Sequence, residues 1–265
     1  METISQTFDF GRFGKCLMRE LKLNSKAWLL RMLLMFGVTT ILLIFATQPS
    51  MINPDYCDYG KLQSEGCFLI SRLCAFVFCG LGASLFMENM TSNGLRMNSI
   101  MSPASQLEKF ATRFTICIVF VTLAYLLCYT LADVIRVIYV RTQYGNLPDL
   151  HLFGWNSVTD MAESKWFLWS YFFAMQMTFV LGSTVWPKNS FLKTFGSVVV
   201  FIIVFVFIAV NLDAHLGPQG SRMISHSASM LVKYWIANYA PLIWSAFCLI
   251  TSYYRFKESE IINRF

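Results

Sequence analysis

The chain has few charged residues: 14% of its 265 residues are Asp, Glu, Lys or Arg, whereas 56% are hydrophobic. Soluble domains carry about a quarter charged residues, so a soluble core could not absorb this much apolar surface. Acidic residues are fewer than basic residues: 15 Asp and Glu stand against 21 Lys and Arg, which gives a net charge of +6. In a chain of this composition the positive excess matches anionic lipid and predicts no nucleic-acid partner. We therefore predict an integral membrane protein.

The sequence also lacks the motifs of common catalytic and nucleotide-binding sites. It has no HExxH, no GxSxG and no GxxxxGK[ST] phosphate loop. Its two Gly-Lys pairs, at Gly14 and Gly60, have no glycine at the required distance before them. No His, Cys or carboxylate spacing predicts a metal site. We expect no cofactor and no catalysis by this chain alone, so a membrane enzyme is the least favoured functional class.

Six long, predominantly apolar runs stand in place of a soluble core, each close to the length of about 20 residues that crosses a bilayer. They are 27–47, 67–87, 110–132, 166–186, 195–212 and 234–254. They predict an all-α polytopic fold with six transmembrane helices over 27–254, followed by a short tail, 255–265. Between the span ends we expect no ionisable side chain that would mark an ion pathway. Gln176, Asn238 and Pro241 are expected to form interhelical hydrogen bonds or a kink.

The distribution of basic residues predicts the orientation of the spans. With six spans both termini share a side, and that side carries more than twice as many lysines and arginines as the other. Because basic residues are retained in the cytoplasm, we expect both termini to be cytoplasmic and the protein to lie in the cell (inner) membrane. The stretch 133–165 then forms an outer loop. The first outer loop holds Cys57 and Cys67, for which a disulfide is one possibility.

The first 26 residues predict an amphipathic helix at the membrane surface. Basic residues recur every three or four positions and so share one helical face. They are Arg12, Lys15, Arg19, Lys22 and Lys26. The apolar residues of the opposite face are Phe10, Phe13, Leu17 and Leu21. We expect the helix to lie flat in the headgroup layer with its apolar face in lipid, either as an anchor alone or also as a docking element.

A polar stretch with two helix-start signals separates the second and third runs. Ser102 before Pro103 suits a helix cap followed by the first helical position. Ser105 and Glu108 have the spacing of a capping box, after which Lys109 and Arg113 would face cytosol or lipid phosphate.

Directly before these signals lies an apolar patch that a solvated loop does not require. It consists of Leu95, Met97, Ile100 and Met101. We interpret the patch as a candidate contact for a partner protein. The alternative is that the whole stretch is a helical extension that merely starts the third span.

Several of these features together resemble a known family. The basic N-terminal helix, the six spans, the loop "SPASQLEKF" at 102–110 and the C-terminal "YYRFKESEI" are similar to the type-2 permease subunits of ATP-binding-cassette transporters. Within that family they resemble a Bacteroides-like branch whose loop reads Leu-Pro-Ala-Ser-x-x-Glu-Lys-Phe. Here Ser102 stands in place of the leucine.

The resemblance implies a mechanical role. In that family the loop between the second and third spans carries a coupling helix that seats in a separate ATPase subunit, and the N-terminal helix flanks the contact. The coupling segment would be 89–110, and a polar or re-entrant segment before the last span would be 217–233. Its coupling residues would be Leu95, Met97, Ile100, Met101, Ser102, Pro103, Ser105, Glu108 and Lys109.

The resemblance also implies the partners. A second permease subunit, identical or different, would complete the path for export, and ATP hydrolysis would occur in the ATPase. A second functional class stays open beside this one, a membrane-embedded interaction or immunity protein without a transport path. The high content of Phe and Met, 25 and 14 residues, suits that class equally, since both pack well against lipid and partners.

Overall fold

A computed structural model of the chain describes residues 8–47, 59–90, 104–144, 165–226 and 229–262. These residues are almost entirely helical and contain no strand. The helices are α1 (Phe10–Leu23), α2 (Ser25–Ala46), α3 (Tyr59–Ser84), α4 (Gln106–Phe114), α5 (Val121–Tyr144), α6 (Lys165–Val185), α7 (Ser190–His226) and α8 (Ser229–Ile262). A 3₁₀ segment, Leu85–Met90, follows α3, and a π-helical segment, Thr115–Phe120, joins α4 to α5.

Four helical stretches are long and apolar enough to cross a membrane, which indicates a helical membrane protein. They are Ser25–Ala46, Ile70–Met87, Gln106–Gln143 and Ser190–Ile208. They coincide with four of the six predicted spans. The other two predicted spans, 166–186 and 234–254, coincide with α6 and α8, and their crossing of the membrane stays a prediction.

The chain divides into two compact units. The first comprises Met1–Gly82 and Pro103–Lys165, and the second Ala83–Ser102 and Trp166–Phe265. In the first unit, α1 packs on α4, and α2 packs along α5. Helix α3 also contacts α5: the hydroxyl of Tyr125 in α5 donates a 2.6 Å hydrogen bond to the carbonyl of Ser71 in α3.

The second unit is held by aromatic and polar contacts between its helices. Phe179 of α6 stacks on Phe191 of α7, with ring centroids 5.2 Å apart. The indole N–H of Trp244 in α8 donates a 2.9 Å hydrogen bond to Oγ1 of Thr178 in α6. Pro241 lies inside α8, as its position in the predicted sixth span requires. These contacts join α6, α7 and α8 into one packed unit.

Several helices differ in length from the prediction. Helix α5 continues to Tyr144, so 133–144 is helical and the outer loop predicted there is wrong over this part. Helix α7 continues to His226, so the predicted polar or re-entrant segment 217–233 is helical up to that residue. The predicted tail is helical up to Ile262. Apolar run length measures what lipid covers, whereas backbone hydrogen bonding also continues through residues such as Arg, Lys and Glu that favour helix.

Gly82 allows α3 to approach the start of α5. A Cβ at this position would lie 2.5 Å from Cγ1 of Val121, far closer than van der Waals contact. We predict that Gly82→Ala destabilises the first unit by roughly 1–3 kcal/mol, the usual cost of overpacking. Thermal unfolding of the detergent-purified protein measures the effect.

A second glycine in a membrane helix supplies the matched control. Nothing lies within 4 Å of a Cβ built on Gly37 of α2, so Gly37→Ala should be neutral or stabilising, because alanine favours helix by up to about 1 kcal/mol. Val121→Ala should recover most of the stability of the Gly82→Ala protein. Equal melting of the two single alanine variants would contradict the assignment.

Candidate functional site at the start of α4

The structure describes the C-terminal part of the predicted coupling segment. The residues of the segment that lie outside the described part are Leu95, Met97, Ile100, Met101, Ser102 and Pro103. Cys57 and the side chain of Cys67 also lie outside it, so the suggested disulfide stays a prediction. The described part of the site therefore begins at Ala104 and contains Ser105, Glu108 and Lys109.

Helix α4 starts at the second of the two predicted signals, and its capping box is confirmed. Ser105 Oγ accepts a 3.3 Å hydrogen bond from the Glu108 amide. In return, Glu108 Oε2 accepts a 2.8 Å hydrogen bond from the Ser105 amide. Two amides at the helix start are thereby satisfied reciprocally. The three-residue spacing in the sequence was sufficient to locate this feature.

The same carboxylate also holds the start of α1, a contact that the sequence did not reveal. Glu108 Oε1 accepts a 2.8 Å hydrogen bond from the amide of Asp9. It also lies 3.3 Å from Nη2 of Arg12. Asp9 is the N-cap of α1, and its own carboxylate accepts from the Gly11 amide at 2.9 Å. One glutamate side chain thus joins the N-caps of two helices, and its contact with Asp9 spans 99 positions of the sequence.

The carboxylate at the centre of this junction is buried. The Glu108 side chain is fully buried, while 29% of the Arg12 side chain is exposed. A buried carboxylate is stable only when its oxygens are hydrogen-bonded and its charge is compensated. Two amides and one guanidinium meet both requirements here. We call this arrangement, Glu108 with Ser105, Asp9 and Arg12, the Glu108 latch.

Helix α1 packs part of its apolar face against the protein, whereas the sequence predicted that this face lies in lipid. Phe13, Leu17 and Leu21 are half-buried, although Phe10 at the start of the helix is exposed. The helix also ends at Leu23, so Lys26 belongs to the first turn of α2. The amphipathic pattern was read correctly, but hydropathy does not distinguish a lipid neighbour from a protein neighbour.

Lys109 and Arg113 were predicted to face cytosol or lipid phosphate, and this prediction is wrong. Both are buried, with 8% and 4% of their surface exposed. They lie on a short helix that α1 covers on one side, and each has a further interaction within the chain. Because a buried cation is kept only with compensating partners, α4 has a charged interior side. Arg113 also lies between the ends of the predicted third span, where no ionisable residue was expected.

The π-helical segment Thr115–Phe120 directly follows α4. Upstream of it, the Glu108 latch fixes α4. The ring of Phe120, the last residue of the segment, meets Trp28 of α2 edge-on at 5.7 Å, and directly downstream Val121 packs on Gly82. Single π turns inside α-helices are common at functional sites. The segment is therefore a joint between two separately anchored pieces of one helix.

A buried ion pair on α5 is the second feature that sequence reasoning missed. Arg136 Nε lies 2.6 Å from Asp133 Oδ1, and the two side chains are 3% and 0% exposed. Both residues had been placed in the outer loop. The signal that could have found them is the i,i+3 spacing of opposite charges, which supports a continuing helix.

The described residues offer no recognisable chemical centre. Among them, no group of three or more His, Cys, Asp or Glu side chains is arranged to hold a metal ion. Cys74, Cys79, Cys117, Cys128 and Cys248 are buried free thiols. The Glu108 latch ties the start of α1 to the start of α4, at the head of a helical stretch, Gln106–Gln143, that is long and apolar enough to cross a membrane.

Comparison of the chain with known protein families, with curated proteins and with solved structures finds no match.

Proposed function

We propose that the chain is the membrane-spanning permease subunit of an ATP-binding-cassette transporter, an exporter driven by a separate ATPase subunit. The observation that carries the proposal is the Glu108 latch. It unites the N-terminal helix with the helix that leaves the loop between the second and third spans, at the head of the long helix Gln106–Gln143. A mechanical input at that loop requires such a junction.

In this proposal the chain crosses the membrane six times. The spans are α2, α3, α4 with α5, α6, α7 and α8, and α1 lies at the cytoplasmic surface of the inner membrane with both termini cytoplasmic. The distribution of lysine and arginine supports this orientation. The close succession of α1 and α2, with Asn24 alone between them, supports a surface position for α1.

The proposed mechanism transmits movement and involves no covalent step in this chain. Two ATPase subunits close on ATP and push on the segment 89–103 of each permease subunit. Because Glu108 binds the caps of both helices, α1 and α4 move together. The π segment Thr115–Phe120 then allows α4 to shift relative to the anchored α5. Two permease subunits, identical or different, enclose the path, and the altered spans open it outward.

The apolar patch before α4 provides the test. We predict that Met97→Asp with Ile100→Asp lowers co-purification of the ATPase encoded by a neighbouring gene by about tenfold or more. The reason is that each carboxylate buried in an apolar contact costs at least about 1–3 kcal/mol, and 1.4 kcal/mol is tenfold in affinity. The measurement is the amount of ATPase retained on the tagged chain in detergent.

Ser99→Asp is the matched control, since it adds a negative charge between the two apolar positions at a residue that is already polar. It should leave co-purification close to that of the unaltered chain. Undiminished association of the Met97→Asp, Ile100→Asp protein would reject the coupling assignment. If no neighbouring ATPase associates with the unaltered chain, the transport function is rejected and the interaction-protein class is favoured.

A further inference from the structure

The outward side of α1 carries a compact basic face. Lys15, Arg19 and Lys22 are all exposed, whereas Arg12 on the same side of the helix is directed to Glu108. The spacing of four and three residues puts the three side chains along one stripe. We call these three residues the outward basic face. The apolar residues of α1 lie on the opposite side, half-buried in the protein.

This face lies close to the hydrocarbon layer. Helix α2 starts at Ser25, and its residues Leu29, Leu30 and Leu33 are 67%, 65% and 64% exposed. Leucines so exposed on a membrane-spanning helix face acyl chains. Within α2, Ser25 precedes Leu29 by four residues, which is about one helical turn or roughly 6 Å of rise. That distance is comparable to the thickness of one headgroup layer.

We propose that the outward basic face binds the phosphates of anionic phospholipids, and that the Glu108 latch holds it in the direction that allows this. The inference rests on the surface position of α1 in the proposed function and is independent of the ATPase. Lipid is the occupant that the structure favours over an acidic protein surface, because the lipid-facing leucines of α2 continue directly from α1.

The Glu108 latch predicts the direction in which lipid binding changes when the charge of Glu108 is removed. Glu108 binds Arg12 and the N-cap of α1. These two contacts oppose rotation of α1 about its axis, so the outward basic face stays directed away from the protein. Removing the negative charge of Glu108 would strengthen attraction to anionic lipid if net charge alone governed binding. If orientation governs binding, the same change weakens it.

The experiment uses the full chain, purified in detergent and mixed with phosphatidylglycerol or phosphatidylcholine. Native mass spectrometry counts retained lipids, and thermal unfolding measures the stabilisation by each lipid, since a ligand stabilises the state that binds it. We expect the unaltered chain to prefer phosphatidylglycerol. Changing Lys15, Arg19 and Lys22 to glutamine should lower phosphatidylglycerol affinity roughly a hundredfold, from three lost basic contacts, and leave phosphatidylcholine binding unchanged.

The matched control removes three exposed lysines of the second unit, Lys188, Lys193 and Lys257, by the same change to glutamine. It should retain the preference for phosphatidylglycerol. If the outward-face variant retains the preference as well, the lipid site is overturned. If that variant keeps the preference but loses the ATPase, the face binds protein and the proposal is likewise overturned.

Glu108→Gln tests the role of the latch. We expect a lower preference for phosphatidylglycerol despite the added net positive charge. An unchanged or higher preference would show that Glu108 does not orient the face. Melting in the absence of added lipid reports whether this variant is folded. Neither lipid result depends on the Met97→Asp, Ile100→Asp result, so failure of the coupling assignment and failure of the lipid site are distinguishable.

Discussion

Glu108→Ala is expected to destabilise the first unit by roughly 2–5 kcal/mol. The change removes the charged acceptor of the Asp9 and Ser105 amides, and a hydrogen bond to a charged group contributes about 1.5–3 kcal/mol. Arg12 adds little to the loss, because its side chain is partly exposed and it keeps Asp9 as a second carboxylate, 3.5 Å away. The loss of these two hydrogen bonds therefore dominates the effect.

Urea titration in mixed micelles measures the free energy of unfolding, and hydrogen exchange reports where it is lost. We expect exchange to rise at the first turns of α1 and α4 and to stay low in α5 beyond the π segment. Glu258→Ala is the matched control: Glu258 is an exposed carboxylate that lies 3.8 Å from the exposed Arg255, and its loss should cost less than about 1 kcal/mol. Unaltered exchange in α1 of the Glu108→Ala protein would refute the latch.

Asp133→Ala is expected to cost roughly 3–5 kcal/mol, because it leaves the guanidinium of Arg136 buried with its carboxylate partner removed. The pair is enclosed on α5, where water is excluded from both side chains. An exposed pair of the same geometry would contribute about 0–1 kcal/mol. Burial, and not the 2.6 Å separation, therefore sets the size of the effect.

The double variant Asp133→Leu with Arg136→Met distinguishes the contribution of the ion pair to stability from that of its surroundings. Replacing both charges by apolar residues of similar volume is often neutral, so the double variant should recover most of the stability that Asp133→Ala loses. Recovery should be incomplete, since both residues make a further interaction in the chain. If the double variant is less stable than Asp133→Ala, the further interactions of Asp133 and Arg136 contribute more to stability than the ion pair between them. Unfolding of the detergent-solubilised proteins decides between these outcomes.

The sequence predicted those features that depend on local pattern. The length of apolar runs located four stretches that the structure shows to be long enough for a membrane, and the spacing of Ser105 and Glu108 located the start of α4. Both follow from backbone physics that acts over a few residues: the bilayer sets the length of a span, and orphan amides select a capping side chain.

The contacts of Glu108 with Asp9 and Arg12 were not predictable in this way. They join residues far apart in the chain, and no local period encodes such a pairing. The burial of Lys109 and Arg113 was not predicted for a related reason. A charged residue beside an apolar run is ordinarily solvated, and only tertiary packing can bury it. The pair Asp133 and Arg136 was missed because the prediction ended the helix where the apolar run ended.

The π segment Thr115–Phe120 contains one residue more than an α-helix of the same rise, since hydrogen bonds that skip an extra position take up an extra residue. Removing a single residue there would yield an uninterrupted α-helix in which Glu108 and Tyr125 keep their present sides. Homologues that lack the bulge would therefore be one residue shorter at this point. An alignment gap between 115 and 120 would then mark the gain or loss of a hinge. The packing surfaces of α4 before the gap and of α5 after it would be unchanged.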